Sequence, residues 1–184
     1  MVLFIGIGAI VVALLLNLGL TLGLATRVHK LQEEVNRGLM RDPALPRPGD
    51  VVGAFDARAI GDERVTSATL SKGVQLVGIF APGCPDCARV RGQLLATPPP
   101  MPFVAFIDVA GSPEVELEGR AVADTMTPIA KVVITRQGEA PLLAFREAGV
   151  PTLIRLENGV VTASGHRLAD VLPELPAQAP GLAA

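Results

Sequence analysis

Between Val74 and Ala96 the chain passes directly from a short, apolar, β-branched run into a helix-favouring one, and both of its cysteines lie at the junction. Val74–Phe80 reads as a buried strand. The stretch from Cys84 to Ala96 reads as a helix, which the triple proline Pro98–Pro100 ends. This arrangement puts Cys84 at the helix N-cap and Pro85 at the first helical position, where the missing N–H costs nothing. A helix N-terminus carries about half a positive charge, so a thiolate on Cys84 is stabilised there and available as a nucleophile. Cys87, three residues on, shares the helix face with Cys84 and is near enough to form a disulfide with it. A zinc half-site would need a second Cys or His pair at ligand spacing, and His29 and His166 each stand alone. Inert buried thiols fit poorly with a strand-to-helix junction. The pattern therefore points to thiol redox chemistry at Cys84 and Cys87, with no metal and no cofactor beyond their redox-active disulfide.

The remaining chain supplies the partners such a junction needs. Val51–Phe55 and Arg64–Thr66 form an expected opening hairpin across Gly61 and Asp62. Phe103–Val109 reads as a second buried strand, Pro113–Asp124 as a weaker helix and Ile129–Ile134 as a further strand. Glu139–Ala148 reads as a helix closed by Gly149, a natural C-cap residue. Thr152–Leu156 and Val160–Ser164 bracket Asn158-Gly159, a strong two-residue hairpin signal. A last short helix is expected at Leu168–Leu172. Strands alternating with helices, then an antiparallel hairpin, indicate an α/β fold with a mixed central sheet.

Charge is distributed unevenly. All 16 basic and 18 acidic residues lie outside residues 2–26. As a helix at ~1.5 Å per residue that run reaches roughly 37 Å, enough to cross a hydrocarbon core of about 30 Å. It lacks the basic leader, the short apolar length and the small-residue cleavage site of a secretory signal, so an uncleaved single-pass transmembrane helix is expected over residues 1–26. Val28, Leu31, Val35 and Leu39 continue at helical spacing. Pro43, Pro46 and Pro48 then turn the chain into an extended linker, which makes 27–47 a juxtamembrane segment. The globular domain follows over 48–172, and 173–184 reads as a flexible tail. The formal net charge of −2, without Trp or Tyr, gives neither the basic face nor the stacking platforms of nucleic-acid binding.

The run Val77-Gly-Ile-Phe-Ala-Pro-Gly-Cys84-Pro-Asp-Cys87-Ala-Arg89, followed some sixty residues later by Ala148-Gly-Val-Pro-Thr152, resembles a thioredoxin-like fold. The opening Pro48-Gly-Asp50-Val-Val-Gly-Ala-Phe55 is similar to the redoxin branch, with its membrane-tethered thiol–disulfide oxidoreductases of the TlpA, ResA and MauD kind. The likeness covers roughly 48–172. It implies that Cys84 is the exposed attacking thiol and Cys87 the buried resolving one, supported by Pro85 and Asp86. It also implies that Pro151 is a cis-proline facing the disulfide, and that Gly149, Val150 and Thr152 bind clients, with Val150 pairing through its backbone. The implied partners are protein dithiols or disulfides and a membrane protein that donates or accepts electrons. The implied side of the membrane is extracytoplasmic. Arg27, Lys30, Arg37 and Arg41 just after the apolar run argue the other way by the positive-inside rule; the resemblance is followed.

Two departures from the thioredoxin pattern and one charged pair affect this reading. Gly83 stands where a Trp often precedes the first Cys, and Gly78 stands where thioredoxin carries a buried Asp that moves protons. Asp86 stabilises the helix dipole but opposes a thiolate at Cys84, while Arg89 is spaced to pair with it. Two other enzyme or metal classes share parts of the pattern. A peroxiredoxin needs a Thr before its reactive Cys, which Pro82-Gly83-Cys84 lacks. A Sco-type copper protein spaces its cysteines one residue further apart and adds a placed His. A non-catalytic membrane adaptor would not need Cys84 at all.

Overall fold

The computed structural model describes residues 45–109 and 113–172. The expected membrane helix, most of the linker and the C-terminal tail lie outside those residues. Among the described residues no helix is long and apolar enough to cross a membrane.

The centre of the molecule is a five-stranded mixed sheet ordered β5-β4-β3-β6-β7. Strands β3 (Val74–Phe80), β4 (Phe103–Asp108) and β5 (Lys131–Thr135) are parallel, while β6 (Thr152–Glu157) and β7 (Val160–Gly165) run antiparallel on the other side of β3. β3 is covered on both faces and on both edges, which is why its sequence is an almost unbroken apolar run. Helices α2 (Pro85–Ala96), α3 (Pro113–Met126) and α5 (Leu168–Val171) supply Cys87, Leu94, Met126 and Val171 to one face of the sheet. The opposite face is covered by α1 (Ser67–Leu70), α4 (Ala140–Leu143) and the small hairpin β1 (Asp56–Arg58) with β2 (Arg64–Thr66). Its centre is a cluster of Phe55, Phe106 and Phe145, whose ring centroids lie 5.5–6.1 Å apart. The Asn158-Gly159 turn has φ of 53° and 81°, the left-handed pair that a two-residue hairpin with right-handed strand twist requires.

Two elements differ from the sequence expectation. The opening strand is Asp56–Arg58 rather than Val51–Phe55. Residues before it run instead along the open edge of β7: Gly49 N–H donates to the Val161 carbonyl, and Val52 N–H to that of Gly159. Val51 is 74% exposed there and bridges only Val160. An edge strand with free backbone groups is a stronger partner than the short β2. The helix expected over Glu139–Ala148 stops at Leu143, and Gly149 does not cap it. Arg146 and Glu147 take φ of 59° and 51°, so the chain turns sharply. Burial of Leu142, Phe145 and Ala148 in the same cluster favours that turn, with contacts to distant residues holding it. The Arg146 guanidinium donates to Asp50 at 2.9 Å, and the Glu147 carboxylate accepts from Gly138 N–H at 3.0 Å. Tertiary packing here outweighs a favourable local pattern.

Candidate active site

The two cysteines lie where strand β3 hands over to helix α2. Cys84 is the N-cap residue with extended backbone, Pro85 opens the helix, and Cys87 N–H donates to Cys84 Sγ at 3.1 Å. The Cys84 and Cys87 Cα atoms are 5.2 Å apart and their sulfurs are close enough for a disulfide. The two are not equivalent. Cys87 is fully buried among the apolar side chains under α2, whereas Cys84 remains partly open to solvent. Gly83 has φ of 69°, a left-handed conformation that suits glycine, so a Trp there would be strained. Asp86 and Arg89 form an exposed ion pair at 2.6 Å on the first turn of α2. At that exposure it contributes little stability, but it places a cation beside the acid nearest the thiol.

The second half of the site comes from β6. That strand pairs antiparallel with β3, with Thr152 opposite Ile79. Carrying the register two residues further sets Val150 opposite Ala81, three residues before Cys84. The Val150–Pro151 peptide bond is cis, and Pro151 is buried. Val150 packs against the apolar cluster that holds Cys87 and that Cys84 also borders. Thr152 Oγ1 donates to the Gly149 carbonyl at 2.5 Å and closes the short loop between them. Val150 itself makes no backbone–backbone hydrogen bond among the described residues. The structure thus brings Cys84, Cys87, Pro85 and Asp86 on one loop-helix segment next to the Gly149–Thr152 segment of another. Among the described residues no three His, Cys, Asp or Glu side chains are grouped to hold a metal ion.

Two further polar residues stand at this end of the sheet. His166 Nδ1 lies 2.6 Å from the Pro151 carbonyl oxygen. In the sequence it stood alone, and only the β6–β7 register could have found it. Asp108, at the carboxyl end of β4, has a buried Oδ1 that makes no hydrogen bond among the described residues. Burial pushes its carboxyl above the usual range, and the nearby Glu139 and Glu147 charges add to this against a hydrogen bond from the Gln137 backbone. The folded chain therefore binds this proton more tightly than the unfolded one. Stability falls as pH rises from the ordinary carboxylate range towards the raised value, and the deficit persists above it. Asp108→Asn is expected to raise Tm by a few degrees at about pH 8, with the gain vanishing below about pH 4, where both forms are neutral. Thermal unfolding at the two pH values checks this, and an equal gain at both would contradict it.

No family model matches the chain, and no curated protein matches it. Among solved structures it is similar to the thioredoxin domain of a thiol-disulfide oxidoreductase from Bacteroides vulgatus. The identity is 16% and the TM-score 0.54, over 70% of this chain and 94% of that one. It is also similar to a thiol:disulfide interchange protein from a Bacteroides species, at 16% identity and a TM-score of 0.50, over 65% of this chain and 81% of that one. At identities this low the structural likeness shows the fold alone, a thioredoxin-like α/β arrangement with a mixed sheet.

Proposed function

We propose that the chain is a thiol–disulfide oxidoreductase that exchanges disulfides with protein clients through Cys84 and Cys87. One observation carries the reading: a partly exposed sulfur at a helix N-terminus lies within disulfide reach of a fully buried one. Such a pair supports a fixed division of labour. The Cys84 thiolate attacks a client disulfide, forming a mixed disulfide and releasing one client thiolate. The Cys87 thiolate then attacks Cys84 Sγ, releases the second client thiolate and closes the internal bridge. Two electrons pass to the client, and the released thiolates take up protons. The same steps in reverse oxidise a client dithiol. The backbone of Val150, without a backbone partner among the described residues, suits an extended client segment, which would add to it as a short strand.

We extend the proposal to the rest of the chain. Residues 2–26 tether the domain to a membrane, the domain works on the extracytoplasmic side where disulfide exchange is most useful, and a membrane protein recharges the cysteine pair. The charge-free run and the likeness of the Pro48–Phe55 opening to tethered redoxins support this. The direct test is Cys87→Ser, which removes the resolving thiol. Expression in intact cells should leave Cys84 in a mixed disulfide with its client, visible as a higher-mass band that dithiothreitol collapses. Absence of any such adduct would count against exchange.

A further inference from the structure

The carbonyl of Pro151 faces the end of β7, and the β6–β7 ladder ends there. Gly165, opposite Leu153, is the last residue of β7. The strand cannot carry a larger residue at that point, since a Cβ on Gly165 would lie 2.3 Å from that of Asp170 on α5. The register continued would set Arg167 opposite Pro151, but the Arg167 N–H donates to Asp170 Oδ2 at 3.0 Å instead. His166 supplies a donor to the Pro151 carbonyl from its side chain, at 2.6 Å. A carbonyl oxygen only accepts, so Nδ1 carries the proton and a neutral ring keeps its acceptor at Nε2.

The turn that carries the imidazole is also held. The Asp170 carboxylate accepts from the backbone N–H of Arg167 at 3.0 Å and from its guanidinium at 2.9 Å. The next residue, Arg167, is thereby fixed by α5, and the His166 ring by Pro151. On the other side of the loop, the Thr152 hydroxyl closes onto Gly149. Two side-chain hydrogen bonds therefore flank Val150, whose own N–H and carbonyl make no backbone–backbone hydrogen bond among the described residues.

We propose that His166 is a positioning residue, whose Nδ1–H bond to the Pro151 carbonyl holds the cis-proline loop so that the Val150 backbone is presented to an extended polypeptide client. The inference rests on the exchange reaction proposed above and names its client as an extended segment around a disulfide. His166 acts through Pro151 rather than on the sulfurs. Its loss therefore weakens client binding more than it slows the exchange step.

Two variants of the full-length chain separate the ring from the donor. His166→Phe keeps a planar ring and removes the hydrogen bond, whereas His166→Asn keeps an N–H donor at the Nδ1 position. With a synthetic extended peptide carrying an internal disulfide as the probe, the Phe variant should raise KM about ten-fold while kcat falls less than about two-fold. The Asn variant should recover most of the difference. Amide hydrogen exchange at Thr152, which needs no turnover, should be about ten-fold faster in the Phe variant and near the parent rate in the Asn variant. A loss confined to kcat, equal behaviour of the two variants, or unchanged amide exchange would each overturn the proposal. Absence of turnover by the parent chain would refute the exchange reaction instead, and the amide rates would still decide whether His166 holds the loop.

Discussion

Cys84→Ser is expected to lower the rate of disulfide exchange at least about a thousand-fold while leaving the chain folded. The substitution removes the attacking sulfur. Serine is among the preferred N-cap residues, so its Oγ can accept the Cys87 N–H bond that Cys84 Sγ now takes, and helix α2 keeps its cap. Loss of activity can therefore be separated from loss of structure by circular dichroism on the same sample. The remaining Cys87 should not replace the missing nucleophile, because it has no exposed surface. In the reduced protein, iodoacetamide should modify Cys84 readily in the Cys87→Ser variant and Cys87 only slowly in Cys84→Ser. Comparable alkylation of the two would mean that the division between attacking and resolving thiol is wrong.

The second large effect concerns Gly78, in the middle of β3. The thioredoxin pattern has a buried Asp at the position that Gly78 resembles, and introducing one by Gly78→Asp should unfold this chain. A Cβ at Gly78 would lie 2.6 Å from Phe80 Cε2, 2.8 Å from its Cζ and 3.1 Å from Phe103 Cε2. Both rings belong to the cluster around Cys87, and Phe80, the nearer of the two, is fully buried there. Overpacking of this kind costs about 1–3 kcal/mol, and a carboxylate with no buried partner adds several more. Gly78→Ala isolates the steric part and should lose about 1–3 kcal/mol in urea unfolding. A Gly78→Asp chain with the parent's urea midpoint would show that the rings yield. The packing also explains the departure itself: Phe80 and Phe103 fill the volume that an acid would need.

The legible parts of the chain were those whose determinants lie within one turn or one strand. Cys84-Pro85-Asp86-Cys87 announced its own helix start because Pro tolerates the first helical position. Asn158-Gly159 announced its hairpin because those residues accept left-handed φ, and the apolar runs of β3 and β4 mark strands covered on both faces. Local pattern failed where distant groups competed for the same backbone. The stretch after Leu143 has helix-forming residues, yet burial of Phe145 against Phe55 and Phe106 redirects it, together with the Arg146 and Glu147 contacts. Val51–Phe55 is strand-like, yet the free edge of β7 takes the segment before β1 and leaves the hairpin to Asp56–Arg58.

The amino-acid sequence by itself determined that this chain carries two thiols at a strand-to-helix junction within a mixed α/β architecture, since helix capping, turn chemistry and hydrophobic period are properties of neighbouring residues. The resemblance implied Pro151 opposite those thiols, and the tertiary structure supplied the strand order and side-chain contacts around it. Insertion of β6 beside β3 brings Val150 and Pro151 to the cysteines, and the β6–β7 register brings His166 to the Pro151 carbonyl. Close packing of two phenyl rings leaves Gly78 no room for a side chain. Each of these placements depends on strand order and on contacts across a shared core, and no spacing along the chain encodes either.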